Sequence, residues 1–355
     1  MTDQSPVLAG PPLRRLIQAM PKAELHLHLD GSLRVDTALE LARTRDIDAP
    51  RDWAGMSAAL IAPMPCASQA ELLRAFDLPI ALMQDAEALE RITVELVESK
   101  AADGVRYVEI RWGPLLHVAG GLSLVDGIGA VCAGAREASF RTGTMVRLIA
   151  TALRSHDPAA NLDLARVATQ FRDQGLTGWD LAGPEEAYPD PALHAAAFEV
   201  AREGGLRITI HAGEWGGAEQ IRRSLAVEPE RVAHGSRAID DPQLCAELAS
   251  RAVTLDLCPT SNWQAGTVPS IEEHPLARLH RAGVPVTLNT DDTTVSDITL
   301  SEEYLNAVER IGLTLPELWA LDRHALDVAF ADEADLAPVR EAFETWASGI
   351  PELWG

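Results

Sequence analysis

Lysine is nearly absent from this chain: only Lys22 and Lys100 occur, and the other 28 basic residues are arginines. Positive charge of any kind is short, with 30 basic residues against 53 acidic ones and a net charge of −23. Such a surface repels phosphate backbones and anionic lipid heads, so nucleic acid and membrane surfaces are not expected partners. Cysteine is also sparse. Cys66, Cys132, Cys245 and Cys258 are scattered without a CxxC, which excludes a disulfide or thiolate-zinc scaffold and suggests buried thiols in a reducing compartment. No apolar run reaches the roughly 18 residues of a membrane span, and no basic-then-apolar leader opens the chain. A cytoplasmic protein is expected. Phosphate-binding glycine motifs are missing too: 119–130 (AGGLSLVDGIGA) lacks the GxGxxG spacing after a strand, and no GxxxxGK[ST] occurs.

What is present is ample core material. With 355 residues, 47% of them hydrophobic, the chain suits one large α/β domain or two ordinary ones. Residues 1–12, with Pro6, Pro11 and Pro12, read as a loose tail before a single domain over 13–355. Eight apolar runs of strand length recur: 23–30, 105–112, 144–153, 176–181, 206–212, 231–234, 253–258 and 285–289. Between most of them lie stretches of helical periodicity, such as 85–103 with Asp85 as N-cap and Gly104 as stop. Eight strands alternating with helices predict a parallel (β/α)₈ barrel. The connection from the first to the second strand, about 75 residues, has room for extra helices over the barrel mouth, one of them across 67–83. There Gln69, Leu72, Leu73 and Phe76 share a face, read first as core packing and second as a substrate gate.

Barrel active sites lie at the C-terminal strand ends. Here those ends read HLDG, RWGP, RSHD, AGPE, HAGE, HGS, CPTSN and NTDD, which concentrates histidines and acids on one face. His26 and His28, at i and i+2 on a strand, point the same way, and Leu25, Leu27 and Leu29 take the opposite face. With His211, His234 and the Asp291–Asp292 pair on other strand tails, they offer the donors of a divalent metal site. Three imidazoles and a carboxylate suit Zn²⁺, although Fe, Mn and Ni are not separated from it by sequence. Such an ion makes hydroxide available at neutral pH. Glu214, three residues beyond His211, is placed to act as a general acid. His234 either ligates the metal or hydrogen-bonds the attacking oxygen, and spacing does not choose.

These residues sit in motifs that resemble the adenosine deaminase family of the amidohydrolase superfamily. The match runs through MPKAELHLHLDGSL (20–33), YVEIR (107–111), LAGPE (181–185), HAGE (211–214), HG (234–235), LCPTSN (257–262) and LNTDD (288–292), in family order. The resemblance implies one Zn²⁺ held by His26, His28, His211 and Asp291, with Glu214 protonating purine N1 and His234 orienting the hydroxide. It further implies that Asp291 takes up the attacking water's proton, that Asp292 meets N7, and that the Gly183 backbone meets N3. Asp30 would bind the ribose 5′-hydroxyl, and His28 would lie against the substrate as well as the metal. The expected activity is zinc-dependent deamination of adenosine or 2′-deoxyadenosine to inosine and ammonia. A 5′-modified adenine nucleoside such as 6-aminodeoxyfutalosine and free adenine are the alternative substrates, and a non-catalytic nucleoside-binding protein is a remote one.

Two-metal relatives bridge their ions with a carboxylated lysine at a strand end. Lys22 precedes the first strand and Lys100 lies in a helix, so one metal is expected. The family pattern is broken at Pro184, which replaces an acid and removes a backbone N–H, at Thr293 and at Trp263. Arg111 and Arg154 read as buried ion-pair residues rather than anion binders; His117 and His156 lie near the mouth without an assigned role.

Overall fold

The computed structural model describes residues 9–354. Eight parallel strands form one sheet in sequential order: β1 (Lys22–His28), β2 (Val105–Trp112), β3 (Met145–Leu153), β4 (Leu176–Ala182), β5 (Arg207–Ala212), β6 (Arg231–His234), β7 (Thr254–Leu257) and β8 (Val286–Leu288). The sheet closes between its first and last strands. The His28 amide donates to the Asp291 carbonyl at 2.7 Å and the Asp291 amide to the His26 carbonyl at 3.1 Å. Lower down, the Asn289 side chain accepts from the Leu25 amide at 2.8 Å. The structure is the expected (β/α)₈ barrel, and each anticipated strand is found within two residues of its expected ends. One boundary shift concerns lysine: Lys22 opens β1 rather than preceding it. There its ammonium donates to the Met20 and Asp103 carbonyls, at the strand end away from the histidines.

The expected tail divides at residue 9. Residues 1–8 lie outside the described residues, whereas Gly10, Pro11 and Pro12 form the first turn of helix α1 (Gly10–Ala19), where proline lacks no needed N–H. Leu13 and Ile17 anchor this helix in the core.

After β1 come α2 (Val35–Thr44), α3 (Trp53–Leu60), α4 (Gln69–Arg74), α5 (Asp77–Leu82) and α6 (Ala86–Ala102). The helix expected across 67–83 is therefore two short ones, each too brief to stand alone and dependent on packing. The α6 helix starts as anticipated, with Asp85 accepting from the Ala88 amide at 2.8 Å. Leu25, Leu27 and Leu29 are fully buried, and burial of each such side chain stabilises the fold by about 1.5–3 kcal/mol.

The barrel interior is not purely apolar. Glu109, Arg231, Asp256, Arg111 and Asp180 are all fully buried and run as an alternating chain of charges. Arg231 pairs with Glu109, and its Nε lies 3.1 Å from Asp256. Arg111 lies 3.8 Å from Asp256 and 3.4 Å from Asp180. Buried charges survive only when neutralised in this manner. The upper end of the chain, Asp180, supports the site above it.

Candidate active site

The C-terminal strand ends bring together the residues anticipated from sequence. His26 Nε2 lies 2.9 Å from Asp291 Oδ1, and His28 Nε2 lies 3.3 Å from the same oxygen. His28 Nε2 is also 3.2 Å from His211 Nε2. His234 Nε2 is 3.7 Å from Asp291 Oδ2 and equally far from Glu214 Oε2. His234 and Asp291 both adopt left-handed backbone conformations, with φ of 63° and 69°. Such strain in non-glycine residues is characteristic of functional sites.

The donor set fits a divalent cation. Asp180 places its two oxygens 3.0 and 3.1 Å from His211 Nδ1. A carboxylate only accepts, so Nδ1 carries the proton and Nε2 presents its lone pair to the site. Burial alone would raise the Asp180 carboxyl, but His211 and Arg111 hold it well below the usual carboxylate range. His26 is fully buried and neither of its ring nitrogens makes a hydrogen bond, although Nε2 faces the Asp291 oxygen. Facing lone pairs in a buried space repel, and a cation between them removes the conflict. One ligand atom each from His26, His211, His234 and Asp291 lies within 4.8 Å of the others. With His28 Nε2 3.2 Å from His211 and 3.3 Å from Asp291, five groups surround a space that needs four. Burial depresses His28 to about 3, so its imidazole is neutral and free to ligate. Ser261 Oγ donates to Asp291 Oδ2 at 2.7 Å and orients that carboxylate.

Acids of opposite character flank the donors. Glu214 follows β5 in a turn whose amides, from Gly213, Glu214 and Trp215, donate to the buried Glu185 carboxylate at 2.8–3.3 Å. Burial, with repulsion from Asp291 and Glu185, pushes the Glu214 carboxyl up to about 8. Burial would raise Asp291 as well, yet His26 and His234 hold it well below the carboxylate range. Asp292 is raised well above that range by burial and by Asp291, Asp30 and Glu214. Asp30 is raised by burial to about 6. The glycine of HLDG leaves room for Asp292, because a Cβ on Gly31 would stand 1.7 Å from Asp292 Oδ1.

A cavity of about 330 Å³ opens over these groups, lined by Asp30, Gly183, Pro184, Glu214, Asp291 and Asp292 below. Above them Gln69, Leu72, Leu73, Phe76 and Ile80 of the α4–α5 segment form the wall, joined by Trp215. The stripe read first as core packing therefore faces the cavity, although Leu72 also belongs to a small apolar cluster with Cys66, Ala75 and Val295. A larger cleft, about 660 Å³, lies around Arg147, Thr177 and Arg207 at the opposite strand ends and contains none of this chemistry.

Arg111 donates to the Leu25 carbonyl beneath the site, and Arg154 to the His211 and Tyr188 carbonyls; neither lines the cavity. Arg111 is the buried ion-pair residue expected, whereas Arg154 is held by carbonyls instead. His117 is buried without a side-chain hydrogen bond. Trp263, expected near the rim, lies under Arg310 and does not line the cavity, whereas Trp215 does. Lys100 pairs with Glu24 at 2.7 Å and donates to Thr290 Oγ1 at 3.3 Å, and it is not among the grouped donors. Sequence reading missed Asp180, Glu185, Ser261 and Asn262. The acid immediately before LAG was the available signal for Asp180, since strand alternation puts it on the face opposite its neighbours Trp179 and Leu181.

A barrel with converging imidazoles, a buried carboxylate and a protonated acid at its C-terminal mouth defines a metal-dependent hydrolase. Comparison narrows the class. The family model described as adenosine deaminase matches residues 21–346, and the chain belongs to the adenosine deaminase family. It is 36% identical over 324 residues to an adenosine deaminase of Clostridium acetobutylicum, spanning 90% of this chain and 96% of that protein. Among solved structures, an amidohydrolase from Burkhoderia ambifaria with bound zinc superposes with a TM-score of 0.87 at 27% identity, covering 98% of this chain and 96% of the other. The apo N6-methyl-AMP deaminase of Arabidopsis thaliana gives 0.83 at 32% identity, covering 94% and 98%. The protein is a deaminase.

Proposed function

We propose that the chain deaminates a neutral 6-aminopurine nucleoside, adenosine or 2′-deoxyadenosine, using one Zn²⁺ held by His26, His28, His211 and Asp291. The observation that carries this reading is the placement of two carboxyls on either side of His234, Glu214 Oε2 and Asp291 Oδ2 each 3.7 Å from its Nε2, with burial pushing Glu214 up to about 8 and Asp291 directed well below the carboxylate range. Acid and base roles are assigned by such a split. When bound, zinc acts as a Lewis acid that makes water nucleophilic at neutral pH.

The protein residues supply the rest. Glu214 donates its proton to purine N1 as water oxygen adds to C6, and Asp291 accepts the proton that the water loses. Asp291 then passes that proton to the amine as the C6–N bond breaks, the C6 hydroxyl proton restores the Glu214 acid, and ammonia and inosine leave. Asp292, kept protonated by its acidic neighbours, donates to N7. Gly183, at φ 104°, presents backbone to N3 at a lining position, and Asp30 meets the 5′-hydroxyl. His28 lies on the cavity wall and so borders the substrate as well as the metal.

Substrate class follows from the lining. Among the described residues no arginine or lysine borders the cavity, whereas Asp30, Glu214, Asp291 and Asp292 do. A 5′-phosphate or a carboxylate-bearing 5′ extension would meet these acids with no cationic side chain to offset the repulsion. Among the described residues the four cysteines are buried and unpaired, which supports a cytoplasmic setting. The test is a kcat/KM panel over adenosine, 2′-deoxyadenosine, adenine, AMP and a 5′-carboxylated analogue. The neutral nucleosides are expected to exceed AMP by at least about a hundredfold, roughly 2.7 kcal/mol. Equal or better use of AMP or the carboxylate would overturn the substrate assignment.

A further inference from the structure

Five groups crowd a four-ligand site, and a hydrogen-bond chain outside it decides which imidazole stands apart. The chain begins at an unambiguous donor. The backbone amide of Leu276 donates to His274 Nδ1 at 3.2 Å. That nitrogen is an acceptor, so the proton of a neutral His274 ring sits on Nε2. His274 Nε2 lies 3.1 Å from Asn262 Oδ1 and donates to it. The Asn262 amide is thereby oriented, and its Nδ2 faces His234 Nδ1 at 3.0 Å. An NH₂ group can only donate, so His234 Nδ1 accepts and its proton sits on Nε2. The same reasoning excludes a doubly protonated His234, because two donors would meet across 3.0 Å. All three side chains are buried, so water does not compete with the chain.

We propose that Asn262 and His274 are positioning residues that fix His234 as an Nε2–H hydrogen-bond donor facing the reaction site, and so keep it out of the metal's ligand shell. The contrast with His211 is direct. There a carboxylate, Asp180, contacts Nδ1 and leaves Nε2 bare for a metal; at His234 an amide contacts Nδ1 and leaves Nε2 protonated. Two histidines on neighbouring strands are sorted into ligand and donor by the chemistry of the group behind each ring. The donor Nε2–H points toward the space between Glu214 Oε2 and Asp291 Oδ2, 3.7 Å from each, where an attacking oxygen gains a hydrogen bond. The inference rests on the deaminase reading for its catalytic consequence, but the tautomer itself is independent of any substrate.

The test is nitrogen NMR of ¹⁵N-histidine-labelled, zinc-loaded protein, with His234 assigned by its loss in His234→Gln. A pyrrole-type Nε2 and a pyridine-type Nδ1 are expected. The reverse pattern, or a metal-shifted Nε2, overturns the proposal whatever the enzyme turns over. Asn262→Asp replaces the donor with an acceptor, so the His234 proton should move to Nδ1 and kcat should fall on the order of 10- to 100-fold with KM changed far less. His274→Leu removes the orienting donor and should lower kcat in the same direction, and His274→Gln, whose amide can donate to Asn262, should recover most of that loss. A purely structural role predicts instead that both His274 variants lose stability alike, with the His234 nitrogen pattern unchanged. Should either variant not fold, the wild-type spectrum alone still decides. A correct tautomer with no turnover of any 6-aminopurine would sink the deaminase reading while leaving the relay standing.

Discussion

Replacing Asp180 by asparagine separates the electrostatic support of the site from its mere shape. The Asp180 carboxylate touches His211 Nδ1 at 3.0 and 3.1 Å, Thr151 Oγ1 at 3.1 Å and Arg111 Nη1 at 3.4 Å, all in the dry barrel interior. An amide of the same size keeps one acceptor but loses the charge that makes the His211 ring a strong ligand. Loss of such support costs about 10- to 100-fold in metal affinity. Arg111 would keep the Leu25 carbonyl at 2.9 Å and only the 3.8 Å approach to Asp256. Breaking a buried pair costs about 3–5 kcal/mol, and the lower end applies because Asp256 remains. Two assays read the two effects: chelator competition for the metal dissociation constant, and urea unfolding of metal-free protein for stability. Thr151→Val is the control, since it removes one hydrogen bond to the same carboxylate but keeps its charge, and should cost about 1.5–3 kcal/mol with metal affinity changed far less than in D180N. A D180N protein that is destabilised yet binds zinc within about twofold of wild type would refute the claim that Asp180 sets the His211 ligand.

The remaining expectations are independent of that one. Glu214→Gln should lower kcat/KM by about 10²- to 10⁴-fold, the usual worth of a positioned acid, with metal content retained. In the wild type, kcat/KM should decline as pH rises through about 8, because burial raises the Glu214 carboxyl from its ordinary 4.5 and the protonated form is the active one; stopped assays across pH 6–10 in the variant should lack that limb. The same raised group contributes folding stability that is full below about 4.5 and is lost as pH climbs through about 8. Gly31→Ala would drive a methyl into Asp292 Oδ1 and displace that acid, lowering kcat/KM for adenosine by up to about 100-fold while zinc still binds. Phe76→Ala should enlarge the cavity and raise kcat/KM for bulkier nucleosides relative to adenosine, whereas unchanged selectivity would return Phe76 to a packing role.

Much of this architecture was legible because strand ends in a barrel must converge. Once HLHLD, HAGE, HG and NTDD are read as strand tails, His26, His28, His211, His234 and Asp291 have to meet on one face. Alternation on β1 likewise assigns Leu25 and Leu27 to the core without coordinates. What stayed hidden depends on contacts between residues distant along the chain. Asp180 sits inside an apolar strand, and only the barrel brings it under His211, 31 residues on. The relay from His274 to His234 passes through Asn262 in a short helix, and no periodicity signals it. The two readings of the 69–76 stripe were inseparable because a helix that covers a cavity and one that covers a core carry the same apolar face. The scarcity of lysine keeps its meaning, since Lys22 holds backbone carbonyls at the far end of β1 and Lys100 is held by Glu24 and Thr290 rather than standing among the metal donors.

The central claim is that one zinc ion and the Glu214 acid together hydrolyse a neutral 6-aminopurine nucleoside. Titrating zinc into metal-free protein while following adenosine absorbance tests it most directly. Inosine formation should rise in proportion to added zinc and reach its plateau at one ion per chain. A plateau at two ions, or no deamination of any 6-aminopurine nucleoside at saturating metal, would contradict it.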